Sequence, residues 1–390
     1  MNDAADPRGP LDGVKVLDLS RILAGPSCTQ VLGDLGADVI KVERPSTGDD
    51  TRSWGPPFVE AQDGSQLEAA YYLAANRNKR SVEVDLTDPS AVEKLRRLAE
   101  TSDVLVHNFK VGGLEKYGLE YAQLEARCPR LVYCAISGFG QTGPRADQAG
   151  YDFLIQAMGG IMSLTGPPEG EPFKVGVGVS DVVTGLYATV GILAALRHRD
   201  RTGEGQLVDV ALFDAQLAWL VNAAAAYLES GRPPARRGNA HPHIVPYQAF
   251  AAADGSVALA IGNDGQFRRF CALAELPFAD DPRFATNAAR VENRTALVPP
   301  LAARIAASPV AFWEAGCRAR GVPCGPVNDL AAALGDPQVA ARGMRIRMDR
   351  PDTARGYVEL VGSPLKLGRT PVTYRRPPPR LGEHTDEVLT

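Results

Sequence analysis

The sequence predicts an α/β fold with two domains, and three observations support this prediction. Short apolar runs alternate with helix-like segments between residues 14 and 199, a pattern typical of crossovers between parallel strands. Residues 231–234 and 238–246 are rich in Gly, Pro and His, which indicates a domain junction. A chain of 390 residues exceeds what one hydrophobic core commonly organises. We therefore expect a Rossmann-like large domain with a mostly parallel sheet and a smaller α+β domain.

The elements follow in chain order. Apolar, β-branched runs predict strands at 14–19, 39–42, 81–86, 104–106 and 131–136. Helical spacing predicts helices at 26–35, 88–100, 151–164, 181–199, 265–274, 290–307 and 310–320. In the helix 88–100, Val92, Leu95 and Leu98 share one face opposite charged residues. The pair Asp254-Gly255 predicts the turn of a hairpin within residues 247–261.

Domain boundaries follow from these elements. We assign residues 1–205 to the N-terminal part of the large α/β domain and residues 206–235 to a linker helix. Residues 236–328 form the predicted small domain, and residues 329–390 form a second linker and a return to the large domain.

Composition narrows the class of protein. The formal net charge is −4 without a long basic run, so neither nucleic acid nor an anionic membrane is an expected partner. The six cysteines lack metal or C-x-x-C spacing. We find no signal-peptide pattern and no segment that predicts a membrane span. A soluble, cytoplasmic protein is expected.

Several common chemistries lack their motifs. Among the histidines only His241 and His243 are close in sequence, and no carboxylate partner accompanies them, so no metal site is predicted. The stretch Gly176–Gly178 supplies half of a dinucleotide motif, but Asp181 occupies the place of its third glycine. No phosphate loop and no G-x-S-x-G motif is present.

Asp181 is the carboxylate with the most distinctive surroundings. An apolar, glycine-containing stretch (residues 175–179) precedes it, and an apolar helical segment (residues 182–196) follows. At a helix cap or in the first turn, its carboxylate is expected to accept backbone N–H bonds. The residues alone leave two interpretations open, a plain helix cap and an anionic nucleophile beside a substrate.

Eight blocks, taken jointly and in order, give a more specific indication. They are Gly13–Leu19 with Ala24–Pro26, Leu35–Arg44, Gly48–Trp54, Asn76–Ser81, Asp103–Phe109, Ser137–Pro144, Gly150–Asp152 and Ser180–Ile192. From about Leu11 to about Leu367, the chain resembles the class III CoA-transferases of the CaiB/BaiF type. The resemblance implies that Asp181 is the nucleophile, forming an acyl anhydride and then an aspartyl-CoA thioester. It implies no cofactor beyond the CoA thioester substrate, no metal, and an interlocked, ring-like homodimer.

Two departures within the family bear on the substrate. Racemase relatives carry a histidine where this chain has Tyr151, which argues against racemisation. Formyl-CoA transferases carry a glutamine where this chain has Leu23, which argues against formate and oxalate. Segments 20–26, 49–58, 138–144, 238–250 and 322–328 resemble members that act on dicarboxylates such as glutarate, with succinyl-CoA as donor.

The resemblance also assigns roles to individual residues. Those expected to bind CoA are Arg44, Val84, Asn108, Phe109, Lys116, Tyr117 and Tyr151, with Arg80 near a phosphate. Those expected around the acid are Leu23 and Asp152, with a lid at Gly262, Asn263, Gly265 and Gln266. Apart from the resemblance, a second carboxylate on the acid needs an arginine or a polar cluster, and we expect Arg52, Arg237 and His241 in this role.

Four alternatives stay open at this point. They are an α-methylacyl-CoA racemase, a transferase for a formyl or carnitine pair of acids, CoA migration within one diacid, and a CoA-binding protein without turnover.

Overall fold

The computed structural model describes residues 9–389. Its strands are β1 (Lys15–Asp18), β2 (Asp38–Glu43), β3 (Phe58–Glu60), β4 (Gln66–Ala69), β5 (Lys79–Glu83), β6 (Val104–His107), β7 (Val132–Ser137), β8 (Gln206–Ala211), β9 (Tyr247–Ala251), β10 (Ser256–Ala260), β11 (Cys324–Pro326), β12 (Arg345–Asp349) and β13 (Tyr357–Val361). Its α-helices are α1 (Ala24–Asp34), α2 (Ala70–Leu73), α3 (Pro89–Glu100), α4 (Tyr121–Leu124), α5 (Asp152–Met158), α6 (Val179–Thr202), α7 (Leu212–Trp219), α8 (Val221–Ser230), α9 (Asp264–Ala274), α10 (Asn287–Glu292), α11 (Arg294–Ala306), α12 (Val310–Arg318), α13 (Leu330–Leu334), α14 (Pro337–Ala341) and α15 (Thr385–Leu389). Residues 9–162, 174–233 and 338–389 form a large unit, and residues 163–173 and 234–337 form a small unit.

A six-stranded parallel sheet organises the large unit, with strand order β5-β2-β1-β6-β7-β8. In its centre Val16 pairs with Val39 on one side and with Val104 on the other. The strands β1, β2, β6 and β7 are buried on both faces, which is why they occur in the sequence as largely apolar runs. The sheet confirms the predicted α/β fold class.

The long helix α6 belongs to the core of the large unit. Ala188, Ile192 and Ala195 are buried against the sheet and α1. At Gly185 a Cβ atom would lie 2.6 Å from the backbone oxygen of Ala24, so only glycine allows the two helices to approach this closely. By length and composition alone α6 is apolar enough to cross a membrane, and α11 with α12 meets the same criterion only as one bent pair. The buried face of α6 accounts for the apolar residues on that side of the helix.

The last residues of the chain return to the large unit and cover the edge strand β5. The backbone N–H of Glu83 donates to Thr385 Oγ1 (3.0 Å), and the backbone N–H of His384 donates to the oxygen of Ser81 (2.9 Å). Asn78 Nδ2 donates to the backbone oxygen of Thr373 (2.8 Å). The tail therefore satisfies polar groups that an edge strand otherwise exposes.

The small unit contains a three-stranded antiparallel sheet of order β11-β10-β9. Ser256 pairs with Ala251 across the predicted hairpin. Buried aromatic residues, among them Phe267, Phe270 and Trp313, fill a core separate from that of the large unit.

Two sequence predictions about helices of the large unit are wrong. Residues 206–235 do not form a linker helix, because they contain β8, α7 and α8 of the large unit. β8 has mostly exposed side chains, so it lacks the apolar run that marks a central strand. The helix predicted at 151–164 is shorter, since α5 ends at Met158 before Gly159 and Gly160.

Candidate active site

Asp181 is the third residue of the core helix α6, and it is half-buried. Gly178 occupies the N-cap position and offers no side-chain cap. None of the hydrogen bonds formed by residues 9–389 reaches the Asp181 carboxylate. The prediction that this carboxylate accepts backbone N–H bonds is therefore wrong, because it lies beyond the cap position. Its oxygens are left available to a substrate.

The charge state of Asp181 is unusual. Burial, followed by the nearby Asp152 carboxylate, raises the pKa of Asp181 to about 7. Both causes disfavour the anion, so the carboxylate is more basic than an exposed aspartate. A more basic carboxylate is also a stronger nucleophile. Near neutral pH, Asp181 is ionised in about half of the molecules.

Asp152 is held in place by hydrogen bonds from two elements. Its Oδ1 accepts the backbone N–H of Ser180 (2.8 Å), at the open start of α6. Its Oδ2 accepts Gln156 Nε2 (2.7 Å), and Gln156 Oε1 accepts the backbone N–H of Val175 (2.8 Å). The buried Gln156 thus links α5 to the loop before α6. This network keeps a second carboxylate close to Asp181.

Leu23 lies at the same place, as predicted from its position before Ala24-Gly25-Pro26. A Cβ atom at Gly178 would lie 3.1 Å from Leu23 Cδ2 and 3.7 Å from Asp181 Oδ2. Leu23 therefore forms an apolar wall beside the reactive carboxylate, and Gly178 leaves the space between them open.

Two aromatic residues near Asp181 were not predicted. The rings of Trp54 and Tyr71 meet edge to face with centroids 5.4 Å apart, and both side chains are partly exposed. Burial first, and then the charges of Asp181 and Asp152, raise the pKa of Tyr71. Trp54 ends one of the blocks that carried the resemblance, but no spacing in the sequence connects either ring with Asp181.

Tyr151 directly precedes Asp152 and is the N-cap residue of α5. Its side chain is 64% exposed, and it does not line the cavity described next. Its predicted role in CoA binding has no support from this placement.

A cavity of about 520 Å³ opens at the carboxyl ends of β1, β2 and β5, the edge where parallel sheets commonly bind ligands. Its lining residues are Leu19, Arg21, Lys41, Val42, Glu43, Arg44, Pro45, Thr47, Gly48, Asp49, Val84, Asp85, Leu86, Thr87, Phe109 and Tyr117. Four of the seven residues predicted to bind CoA are among them: Arg44, Val84, Phe109 and Tyr117. Lys116 Nζ lies 4.7 Å from the centre of the Tyr117 ring, beside the cavity.

Asn108 has a different role from the one predicted. Its side chain forms two hydrogen bonds with the backbone of Arg21, accepting from the N–H (2.9 Å) and donating to the oxygen (2.7 Å). It therefore fixes the chain after β1 and does not face the cavity. Arg80 is also removed from the cavity, because it pairs with Asp38 and Glu387.

Buried ion pairs form the floor of the cavity. Lys41 Nζ lies 2.8 Å from Asp49 Oδ2, with both side chains fully buried. Burial would raise the pKa of Asp49, but the Lys41 charge and hydrogen bonds outweigh it and lower the pKa to about 2. Asp49 is therefore a permanent anion beneath the cavity.

The predicted role of Arg52 in binding a second carboxylate is wrong. Its guanidinium forms a two-point pair with Glu43 (2.9 and 2.7 Å) and stacks 3.7 Å from the centre of the Tyr72 ring. The side chain is 9% exposed, and it also donates to the backbone oxygen of Pro379. The N–H groups of Arg52 are therefore bonded inside the large unit and are not available to a substrate carboxylate.

The predicted lid in the small unit is a helix start. Asn263 caps α9 by accepting the N–H of Gln266 (2.9 Å), and Gln266 Oε1 accepts the N–H of Gly262 (2.8 Å). Asp264 of the same turn pairs with the buried Arg290 (2.9 Å). This reciprocal capping makes Gly262, Asn263, Gly265 and Gln266 a bonded helix start, so the predicted lid is not an open glycine loop.

Arg237, His241 and Arg294 form a cluster in the small unit, in which the two arginines carry the positive charge. Arg294 donates to the backbone oxygen of His241 (2.6 Å), and burial followed by the Arg237 charge lowers the pKa of Arg294. Burial, His243 and Arg294 lower the pKa of His241. Within residues 9–389 no acidic side chain is paired with Arg237 or Arg294. The cluster therefore has a net attraction for an anion.

A metal site is not indicated by the arrangement of side chains. No group of three or more His, Cys, Asp or Glu residues within 9–389 has the geometry to hold a metal ion.

A parallel sheet with a cavity at its carboxyl edge and a basic, unpaired carboxylate nearby is the architecture of an α/β enzyme. The sequence pattern of CoA-transferase family III matches residues 11–385, so this chain belongs to CoA-transferase family III. The match confirms the resemblance seen in the sequence.

Curated relatives of known activity extend over the whole chain. Succinate–glutarate CoA-transferase of Agrobacterium fabrum is 49% identical over 395 residues, which cover 100% of this chain and 97% of that protein. Human succinyl-CoA:glutarate CoA-transferase is 42% identical over 381 residues, covering 97% and 85% respectively. Succinyl-CoA:mesaconate CoA-transferase of Haloarcula hispanica is 40% identical over 387 residues, covering 98% and 96%.

A solved structure has the same fold. The crystal structure of a CaiB/BaiF family protein from Brucella suis superposes with a TM-score of 0.88 at 49% identity and covers 98% of both chains.

Proposed function

We propose that this chain transfers CoA from succinyl-CoA to glutarate, with the Asp181 carboxylate as the nucleophile. The observation that carries the proposal is the unpaired, half-buried Asp181 carboxylate, whose pKa is raised by burial and by Asp152. The 49% identity to a succinate–glutarate CoA-transferase supports this pair of acids.

The reaction starts with attack by an Asp181 oxygen on the thioester carbon of succinyl-CoA. The C–S bond breaks, CoA leaves as a thiolate, and a mixed anhydride joins Asp181 to the succinyl group. The thiolate then attacks the Asp181 carbonyl carbon and the anhydride C–O bond breaks. Succinate leaves, and an aspartyl-CoA thioester remains.

Glutarate runs the same steps in reverse. Its carboxylate attacks the aspartyl thioester carbon and displaces the CoA thiolate, which gives an Asp181–glutaryl anhydride. The thiolate attacks the glutaryl carbon, glutaryl-CoA leaves, and the Asp181 carboxylate is regenerated. No proton is consumed in the cycle, and no ATP is needed because the acyl group stays activated throughout.

The cavity of the large unit is the proposed CoA site. Arg21 and Arg44 both pair with Asp50 (2.9 and 2.7 Å) and line the cavity, where phosphate oxygens offer them stronger partners. Phe109 and Tyr117 supply apolar ring faces for the adenine. Lys116, beside Tyr117, adds a further cation.

Within the small unit, the guanidinium groups of Arg237 and Arg294 have no acid to neutralise them, so they are expected to attract a carboxylate. Leu23 favours the methylene chain of a longer diacid over a small polar acid such as formate.

We also propose a homodimer in the cytosol. Val182, Leu186 and Val190 follow one another at helical spacing on α6, and their side chains are 38%, 53% and 63% exposed. Such an apolar stripe on a core helix is typical of a surface that another subunit covers. The sequence resemblance implies that this subunit is a second copy of the chain, interlocked with the first.

The test uses the purified protein with succinyl-CoA and a panel of acids. New CoA esters are followed by mass spectrometry with glutarate, mesaconate, citramalate, oxalate, carnitine and the monocarboxylate butyrate. We expect esters of the diacids, glutarate foremost, and none with Asp181→Asn, which keeps the shape of the side chain. Transfer at the wild-type rate in Asp181→Asn would contradict the mechanism. Loss of deuterium from an α-labelled acyl-CoA without new esters would indicate a racemase instead.

A further inference from the structure

The turn between β1 and α1 (Leu19–Leu23) has its backbone bonded by side chains from elsewhere in the large unit. Lys41 Nζ donates to the oxygen of Ser20 (3.0 Å), and Asn108 bonds both the N–H and the oxygen of Arg21. A turn ordinarily bonds its own backbone or water. Here its path is fixed by buried polar groups of the cavity floor.

The next residue is the strained one. Ile22 has φ = +73°, in the left-handed region that a β-branched residue rarely adopts. Its backbone N–H points at the Asp49 carboxylate, 3.2 and 3.3 Å from the two oxygens. Asp49 is itself buried against Lys41. The strain therefore persists because a permanent anion holds the N–H of Ile22, and strain of this kind is concentrated at functional sites.

The conformation of Ile22 determines where the Leu23 side chain lies. Leu23 follows Ile22 directly in the chain, and its side chain lies against Gly178, next to the Asp181 carboxylate. The same turn contributes Leu19 and Arg21 to the wall of the cavity. One turn thus supplies side chains both to the cavity and to the surroundings of the reactive carboxylate.

We propose that Asn108 and Asp49 are positioning residues, which hold Ile22 in its left-handed conformation so that Leu23 excludes water from the Asp181 intermediates. This inference rests on the proposed function, since it concerns the fate of the anhydride and thioester on Asp181. Neither Asn108 nor Asp49 has to contact the reacting atoms for this role.

The reaction that Leu23 prevents is hydrolysis. A water oxygen attacks the acyl carbon of the anhydride, and the C–O bond to Asp181 breaks. The free acid leaves, the Asp181 carboxylate returns, and the proton from water goes to the CoA thiolate. The net result is acyl-CoA plus water giving acid plus CoA thiol, which is a loss of the activated group.

The test measures how each variant divides succinyl-CoA between hydrolysis and transfer. CoA thiol released without an acceptor acid is compared with glutaryl-CoA formed with glutarate. In Asn108→Ala the turn relaxes, so we expect the ratio of hydrolysis to transfer to rise about tenfold. Leu23→Ala removes the wall itself and is expected to raise the ratio by a similar factor.

A second substitution that restores the ratio of hydrolysis to transfer distinguishes a loss of positioning from general damage to the fold. Ile22→Gly removes the cost of the left-handed conformation, so Asn108→Ala with Ile22→Gly should recover the wild-type ratio. The same substitution should not restore the ratio in Leu23→Ala, where the wall is missing. As a matched control, Asn78→Ala removes another asparagine that bonds backbone, 2.8 Å from the oxygen of Thr373, and should leave the ratio unchanged.

The outcomes are distinct. A wild-type ratio in Leu23→Ala overturns the inference even if Asn108→Ala fails to fold. An increase in Asn108→Ala that Ile22→Gly does not reverse also overturns it. A wild-type protein that forms no glutaryl-CoA contradicts the proposed function instead, which is a different failure.

Discussion

Asp152 accepts the backbone N–H of Ser180 at 2.8 Å, so one carboxylate stabilises the start of the helix that carries another. The two acids of the site are coupled through this helix start, because Asp181 follows Ser180 directly. The arrangement keeps a negative charge near Asp181 that burial alone would not supply.

Replacing Asp152 with Asn tests this coupling. Asn keeps an acceptor for Ser180 but removes the charge, so the pKa of Asp181 should fall below about 7, although burial still holds it above the ordinary value. The acid limb of the pH profile of kcat/KM for succinyl-CoA should therefore move to lower pH. The plateau rate should fall, because a less basic carboxylate is a weaker nucleophile. An unmoved acid limb would contradict the coupling.

The raised pKa of Asp181 also predicts how stability depends on pH. The folded protein binds a proton at Asp181 up to about pH 7, whereas the unfolded chain releases it near pH 4. The unfolded state thus binds fewer protons between these values, and stability falls as pH rises through this window. Asp181→Asn removes this pH-dependent loss of stability, because the asparagine side chain does not ionise.

We expect Asp181→Asn to stabilise the protein at pH 8 by roughly 1–3 kcal/mol and to have little effect near pH 4. Urea unfolding at several pH values measures the difference. The exposed Asp147→Asn serves as a control and should show no such trend. Equal stabilisation by Asp181→Asn at both ends of the range would contradict the raised pKa.

Gly178→Ala should narrow the site without disturbing the fold. The new Cβ would lie 3.1 Å from Leu23 Cδ2 and 3.7 Å from Asp181 Oδ2. We expect kcat for transfer to fall about tenfold or more, because the acyl carbon loses its approach to the carboxylate. Gly176→Ala is the matched control, since a Cβ there meets no atom within 4 Å. Similar rates in the two variants would place the reacting carbon elsewhere.

Arg44→Ala tests the proposed CoA site. Its guanidinium pairs with Asp50 at the cavity and should bind a phosphate in the ground state and transition state alike. We expect KM for succinyl-CoA to rise about tenfold with little change in kcat. Arg97, on the exposed side of α3, is the control, because Arg97→Ala removes an equal charge outside the cavity. A fall in kcat with unchanged KM would assign Arg44 to another role.

The sequence predicts the sheet and the position of Asp181 well, for a physical reason. Strands buried on both faces have to be continuous apolar runs, so β1, β2, β6 and β7 are visible without partners. β8 is an edge strand with exposed side chains, and only its pairing with β7 makes it a strand. An aspartate at the start of an apolar helix is likewise a local pattern.

The roles of Arg52 and Asn108 depend on partners that are distant in the chain. Arg52 meets Glu43 and the backbone of Pro379, which are 9 and 327 residues away. Asn108 bonds Arg21, 87 residues away. Contacts between residues so far apart in the chain leave no local pattern in the sequence. The segment 262–266 is a further case, because its glycines in the sequence do not reveal the Asn263 cap or the Asp264–Arg290 pair.

The tail that covers β5 also determines when this protein becomes able to fold completely. The N–H of Glu83 and the oxygen of Ser81 gain their partners from residues 384–385, and Arg52 gains one from Pro379. During synthesis the first half of the sheet leaves the ribosome long before these residues do. The large unit therefore passes through a stage in which its edge strand is uncovered and Arg52 lacks one of its hydrogen bonds. The small unit ends at residue 337, so it can complete its folding before the large unit does.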